Sequence, residues 1–173
     1  MKASKVAFGG IIAALSLALM LLTGLIPVGT YALPCVAGML LTVIVIEFGA
    51  LWAIGVYAAV SALSLLFVAD KEAALYYAVL LGIYPVLKSF FERIPLRWLS
   101  FAVKMVYFNI SAVGAFYISI YLLGVPLESF SFFGVNMPLV FLFMGNIVFA
   151  VYDVCVTRFV GLYLNRWRQR LKF

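Results

Sequence analysis

Polar residues in this chain stand in short groups between apolar runs, each about as long as a membrane crossing. The first run covers about residues 4–26 and breaks at Pro27-Val28-Gly29. The second, about 33–48, is short and ends beside Glu47 and Gly49, and a third of about 50–68 stops at the charged corner Asp70-Lys71-Glu72. A fourth, about 72–90, precedes the polar link Glu92-Arg93-Ile94-Pro95-Leu96-Arg97. A fifth, about 98–123, and a sixth, about 138–164, flank a longer loop from Gly124 to Met137. Hydrocarbon about 30 Å thick needs about 20 residues of helix to cross it. Lipid offers no partner to a bare backbone, so each run is expected to bond its peptide groups within itself, as a helix. The period-two alternation of a membrane β-barrel is absent. The pattern predicts an all-α integral membrane protein, a compact bundle of six transmembrane helices forming a single transmembrane domain over residues 1–173. Between 33 and 68 it allows either two helices joined tightly at Glu47 to Ala50 or one long broken segment.

Composition agrees: 68% of the 173 residues are hydrophobic and 10% charged, with mean hydropathy +1.22, values that leave no room for a soluble domain. The charges that remain set the topology. Cytoplasmic loops are enriched in Lys and Arg. With six spans, Lys2, Lys5, Lys88, Arg93, Arg97, Arg166, Arg168, Arg170 and Lys172 fall on one side, nine of the twelve cations. Lys71 is left opposite, while Lys104 and Arg158 lie near the inner helix ends and can snorkel. Both termini are therefore expected in the cytoplasm of a bacterial cell. The first apolar run exceeds the roughly 7 to 15 residues of a secretory core and has no small-residue cleavage pattern, so it is expected to remain as a helix. Cys35 and Cys155 are expected near opposite faces, too far apart for a disulfide.

Histidine is absent. That removes imidazole acid/base chemistry and most transition-metal sites. The six carboxylates Glu47, Asp70, Glu72, Glu92, Glu128 and Asp153 are scattered, and no phosphate-cradling glycine loop is present. No metal, cofactor or catalytic group is expected, and the protein is not expected to be an enzyme. The tail Arg166-Trp167-Arg168-Gln169-Arg170 suits an interfacial helix end on anionic lipid, and nucleic acid is not an expected partner.

Other residues carry a more specific expectation. Gly10, Ala14 and Ala18 recur every four residues in the first helix, beside Gly9 and Ala13, and form a stripe that another helix can approach closely, inside the bundle or on a partner. The outer helix ends hold the richest polar and aromatic group: Asp70, Lys71 and Glu72 at the corner, Tyr76 and Tyr77 a turn beyond, Tyr31 in the first loop, and Tyr117 and Tyr121 at the end of the fifth helix. Tyrosine rings can stack on a ligand ring, and each also suits an interfacial anchor. Asp70 to Glu72 equally suits a solvated turn whose acids favour the start of a helix. Asn109 and Asn146 fall midway along the fifth and sixth helices, where they can pair or touch ligand. Glu47, Lys104 and Asp153 fall in the inner portion, and Lys104 is expected to neutralise one of the acids.

Six helices, cytoplasmic ends, the Gly10/Ala14/Ala18 ladder and an uncharged first loop together resemble the substrate-binding S component of an energy-coupling factor (ECF) transporter. The stretches IEFG, LSLLFVADKEAALYY and GIYPVLK between Val45 and Lys88 are similar to uncharacterised bacterial members of that family. The resemblance implies capture of a vitamin or related small organic nutrient among the outer helix ends. It also implies docking of the first helix, at Gly10, Ala14 and Ala18, on a transmembrane coupling subunit joined to two ATPases. Glycine stands at Gly10 where the family's ladder has alanine. A chain of this size and helix number is also similar to the rod-shape membrane protein D family, scaffolds that need partners and no ligand. A small membrane enzyme or an independent carrier is the remaining alternative.

Overall fold

The computed structural model describes residues 2–26, 29–121, 124, 131–132, 135–136 and 138–167. Seven α-helices account for almost all of these: α1 Lys2–Leu22, α2 Gly29–Phe48, α3 Ala50–Phe67, α4 Lys71–Tyr76, α5 Tyr84–Phe91, α6 Arg97–Tyr121 and α7 Pro138–Leu162. One π-helical turn, Tyr77–Leu81, connects α4 to α5, and another, Tyr163–Trp167, prolongs α7. Between α6 and α7 a two-residue antiparallel ladder pairs Ser131 with Asn136 and Phe132 with Val135. Six helical segments are long and apolar enough to cross a membrane, with α4, its π turn and α5 acting as one segment, Lys71–Phe91. This is the arrangement of a multi-pass membrane protein.

The elements differ from the sequence pattern at their ends. α1 stops at Leu22, where the Thr23 hydroxyl donates to the Met20 carbonyl at 2.7 Å. α2 starts at Gly29 rather than near residue 33 and reaches 20 residues, carrying Pro34 inside it. Proline favours the first turn of a helix, yet here about one further turn precedes it. The alternative left open at Glu47 to Ala50 resolves as two helices with a one-residue joint: Gly49 adopts φ 89°, a conformation that disfavours any Cβ. Its N–H donates to Val45 at 3.1 Å and its carbonyl accepts from Ala53 at 3.2 Å.

The fourth segment is where regular helix fails. Asp70 caps it, its carboxylate accepting from the Ala73 N–H at 2.9 Å, a standard helix start. Fifteen residues on, Pro85 has no N–H to offer the Leu81 carbonyl, and its ring would collide with that carbonyl in a continuous α-helix. The chain takes one extra residue in the π turn instead, with the Gly82 N–H donating to the Tyr77 carbonyl at 2.8 Å. Pro85 then falls in the first turn of α5, where a missing N–H costs nothing.

α2 is the central element, touching α1, α3, α4, α5 and α7. One core cluster joins α1, α2 and α3 to the fourth segment through residues such as Met20, Leu41, Val60 and Tyr77. A second, built on Tyr84, Phe108, Phe149, Tyr152 and Val156, joins the fourth segment to α6 and α7. The two ends of the bundle are distinct. Lys5 lies 5.7 Å over the Phe48 ring, and the Tyr163 hydroxyl donates to Glu47 at 3.3 Å, so the start of α1 and the end of α7 meet at one end, called here the terminal end. The α3/α4 corner at Asp70 marks the other, the corner end.

Candidate functional site

The π turn leaves backbone carbonyls without helical partners in the middle of a membrane segment, where an unsatisfied group is costly. Three tyrosines from three helices supply the missing donors. The Tyr57 hydroxyl of α3 donates to the Ala78 carbonyl. Tyr107 of α6 donates to Leu80 at 3.0 Å and reaches Val79 at 3.3 Å, and Tyr152 of α7 donates to Leu81 at 3.2 Å. Opposite them Gly38 of α2 lies so close that a Cβ there would stand 2.5 Å from the Leu81 oxygen and 2.8 Å from the Tyr152 hydroxyl. The irregular backbone of this turn is thus surrounded by protein.

Beside this turn, toward the corner end, lies a cavity of about 550 Å³ bounded by α2, the fourth segment, α6 and α7. That size lies within the usual range for small-molecule sites, about 300–1,000 Å³. Its aromatic walls come from Tyr31, Tyr76, Phe116 and Tyr117, with Phe108, Phe149 and Tyr152 below them. The Phe108 and Phe149 rings stack at 4.7 Å, and Tyr31 meets Tyr76 at 5.3 Å. Cys35 is the other sulfur-bearing wall residue besides Met144, and among the described residues no charged side chain lines the space.

The expected ligand residues divide against this cavity. Tyr31, Tyr76 and Tyr117 line it. Tyr121 does not; it is 82% exposed and stacks on Tyr117 at 6.2 Å. Tyr77 turns the other way, into the cluster around α1 to α3, where its hydroxyl is buried without a hydrogen-bond partner. The corner charges are tied up locally. Asp70 accepts from Thr30 at 2.8 Å as well as from its own helix. Lys71 donates to the Leu65 and Leu66 carbonyls at the end of α3, at 2.8 and 3.3 Å. Glu72 accepts from Tyr31 at 3.3 Å. Asn109 and Asn146 find each other in a reciprocal amide pair, at 2.9 and 3.1 Å, rather than facing the cavity.

A second polar group lies toward the terminal end. Lys104 reaches both oxygens of Asp153 at 3.2 Å and Glu92 at 3.3 Å. Lys88 contacts Asp153 and bonds Glu92 at 2.8 Å, and the Tyr84 hydroxyl donates to Asp153 at 2.5 Å. Both lysines are buried. Lys104 therefore pairs with Asp153, and Glu47 goes to Tyr163. Sequence spacing missed Lys88, Glu92 and Tyr84 because their link to Asp153 spans more than sixty residues for Lys88 and Tyr84. The available signal was the i,i+4 relation of Lys88 and Glu92. Among the described residues, no group of three or more His, Cys, Asp or Glu is placed to hold a metal ion.

The small-residue stripe of α1 is not consumed by internal packing. Gly9 meets Val56 of α3, its would-be Cβ 3.3 Å from that side chain, and Ala13 packs on the core. Gly10, Ala14 and Ala18 are exposed on the bundle surface. No family model matches this chain, and neither a curated protein nor a solved structure shows significant similarity to it.

Proposed function

We propose that the chain is a substrate-capture subunit of an ECF-type importer, binding a small organic nutrient in the cavity lined by α2, α4 with its π turn, α6 and α7 and passing it to a shared coupling subunit and two ATPases. The observation that carries this reading is the cavity: a packed membrane bundle fills its interior, yet about 550 Å³ is left between aromatic walls near the corner end. The concentration of cations at the terminal end favours placing that end in the bacterial cytoplasm, which turns the cavity toward the outer leaflet. The exposed face of Gly10, Ala14 and Ala18 supplies a surface for close helix contact with the coupling subunit.

The test is assembly. A tagged chain coexpressed with a coupling subunit and its ATPases should retain all three through purification, and Ala14→Leu with Ala18→Leu should lose them while keeping its thermal melt in detergent. Wild-type chain that purifies without the coupling subunit, or that brings down cell-shape proteins instead, overturns the reading in favour of a scaffold.

A further inference from the structure

The charge inventory of the cavity narrows what it can hold. A charged ligand buried in a membrane bundle needs a countercharge or several converging donors. Among the described residues the wall holds no charged side chain. Its polar side chains are tyrosines and one cysteine, and the hydroxyls of Tyr31 and Tyr152 are engaged with Glu72 and Leu81, while Tyr76 also interacts with Glu72. The nearby corner charges are held by Thr30, the Ala73 N–H, the α3 carbonyls and Tyr31. Seven aromatic rings offer faces and edges to a flat apolar body.

The same lining shows how a ligand arrives. α6 and α7 are joined at Asn109 and Asn146, and beside that pair the cavity reaches a gap between the two helices, with Val113 and Met144 toward the corner end and Val148 toward the terminal end. Val113, Met144 and Val148 line the cavity and are also 42 to 57% exposed on the bundle surface. Their neighbours Ile110, Ile147 and Val151 are exposed and apolar too. The gap therefore faces hydrocarbon at the depth of the middle of α6 and α7.

Resting on the capture reading above, we infer that the substrate is an uncharged, ring-bearing lipophile that partitions into the bilayer and reaches the cavity sideways, between α6 and α7. The test uses the protein in lipid nanodiscs and two naphthalene fluorophores, neutral 6-propionyl-2-(dimethylamino)naphthalene and anionic 2-(p-toluidino)naphthalene-6-sulfonate. The neutral probe should show a saturable component of one site per chain above lipid partitioning. Ala112→Phe and Leu142→Phe, which fill the cavity from opposite walls, should each weaken it by about tenfold or more. Two filling variants keep the test valid if one fails to fold. Val148→Trp at the gap should slow probe exchange several-fold while changing affinity less.

Saturable binding of the sulfonate in preference to the neutral probe overturns this inference, and so does neutral binding that neither filling variant reduces. So does mass spectrometry showing that only phospholipid acyl chains occupy the wild-type cavity. In these cases assembly with the coupling module is unaffected and the capture reading stands. Loss of that assembly with neutral binding intact would overturn the capture reading instead.

Discussion

The two ends of the bundle treat polarity in opposite ways. Toward the terminal end, α5, α6 and α7 bring two lysines, two carboxylates and a tyrosine into one network. Toward the corner end the charges are each tied to a neighbouring backbone or hydroxyl, and the interior they border is hollow, aromatic and uncharged. The bundle thus holds its charges together at one end and keeps them out of the described interior at the other. The difference teaches that charge in this chain serves architecture, whereas the space suited to a ligand is recognised by its lack of charge.

Breaking the terminal network gives the largest expected effect. Asp153→Asn leaves Lys88 and Lys104 buried with only the half-exposed Glu92 between them. Removing one partner of a buried ion pair costs about 3–5 kcal/mol, to be read as a lowered unfolding midpoint in detergent. Lys88→Met should cost more than Lys104→Met, because Lys88 is the more tightly held of the two on both carboxylates. Folded Asp153→Asn protein should still bind the neutral probe. Unchanged stability would mean the network is not formed in the membrane, and loss of binding from folded protein would join the two ends that the structure separates.

The next effect tests the boundary between the ends. Gly38→Ala puts a methyl against the Leu81 carbonyl and the Tyr152 hydroxyl, and the backbone member of that pair cannot turn aside. Overpacking of this kind costs about 1–3 kcal/mol, and because Tyr152 also walls the cavity, probe affinity should fall as well. Gly10→Ala is the matched control: its Cβ meets nothing within 4 Å, so stability should stay within about 0.5 kcal/mol. Equal behaviour of the two variants would refute the close packing of α2 on the π turn.

How much of this was legible in sequence follows from the range of each interaction. Six membrane-length segments were readable because apolar runs and breaks such as Gly49 and Asp70 are local. The π turn was not read, although Pro85 stood in plain view, because its accommodation depends on hydroxyls from Tyr57, Tyr107 and Tyr152 on three other helices. Tyr31, Tyr76 and Tyr117 were found as candidates by their place near helix ends, while Phe108, Phe149 and Tyr152, deeper in the cavity, carry no polar flag to distinguish them from packing. Tyr77 shows the limit of position alone: adjacent to Tyr76, it points into the other core because neighbouring helix residues diverge by about 100°. Asp70 to Glu72 stand out in the sequence as charges, whereas their local partners, Thr30, the Ala73 N–H, the α3 carbonyls and Tyr31, come into view only in the fold.

The smallest effect separates a structural tie from a ligand contact. Asn109 and Asn146 exchange two amide hydrogen bonds, and each also donates to a carbonyl one turn back in its own helix, Met105 and Leu142, at 2.8 Å. Interhelical hydrogen bonds in membranes contribute about 0.6 kcal/mol on average and up to about 1.7. A single Asn109→Leu or Asn146→Leu substitution removes the pair and leaves the other amide without its cross-helix partner, so each single variant should be destabilised. The double variant should lose less than the two singles summed, by a coupling of about 0.6 to 1.7 kcal/mol in a double-mutant cycle. Additive losses would mean that the amides do not meet in the bilayer. The pair also stands beside the cavity-lining residues Val113, Met144 and Val148 of α6 and α7, which gives the cycle a second readout. If it is the tie that sets the width of the gap, the double variant should speed probe exchange with little change in affinity, because neither amide lines the cavity. Faster exchange with preserved affinity would assign the asparagines to the opening, and affinity lost with exchange unchanged would assign them to the ligand.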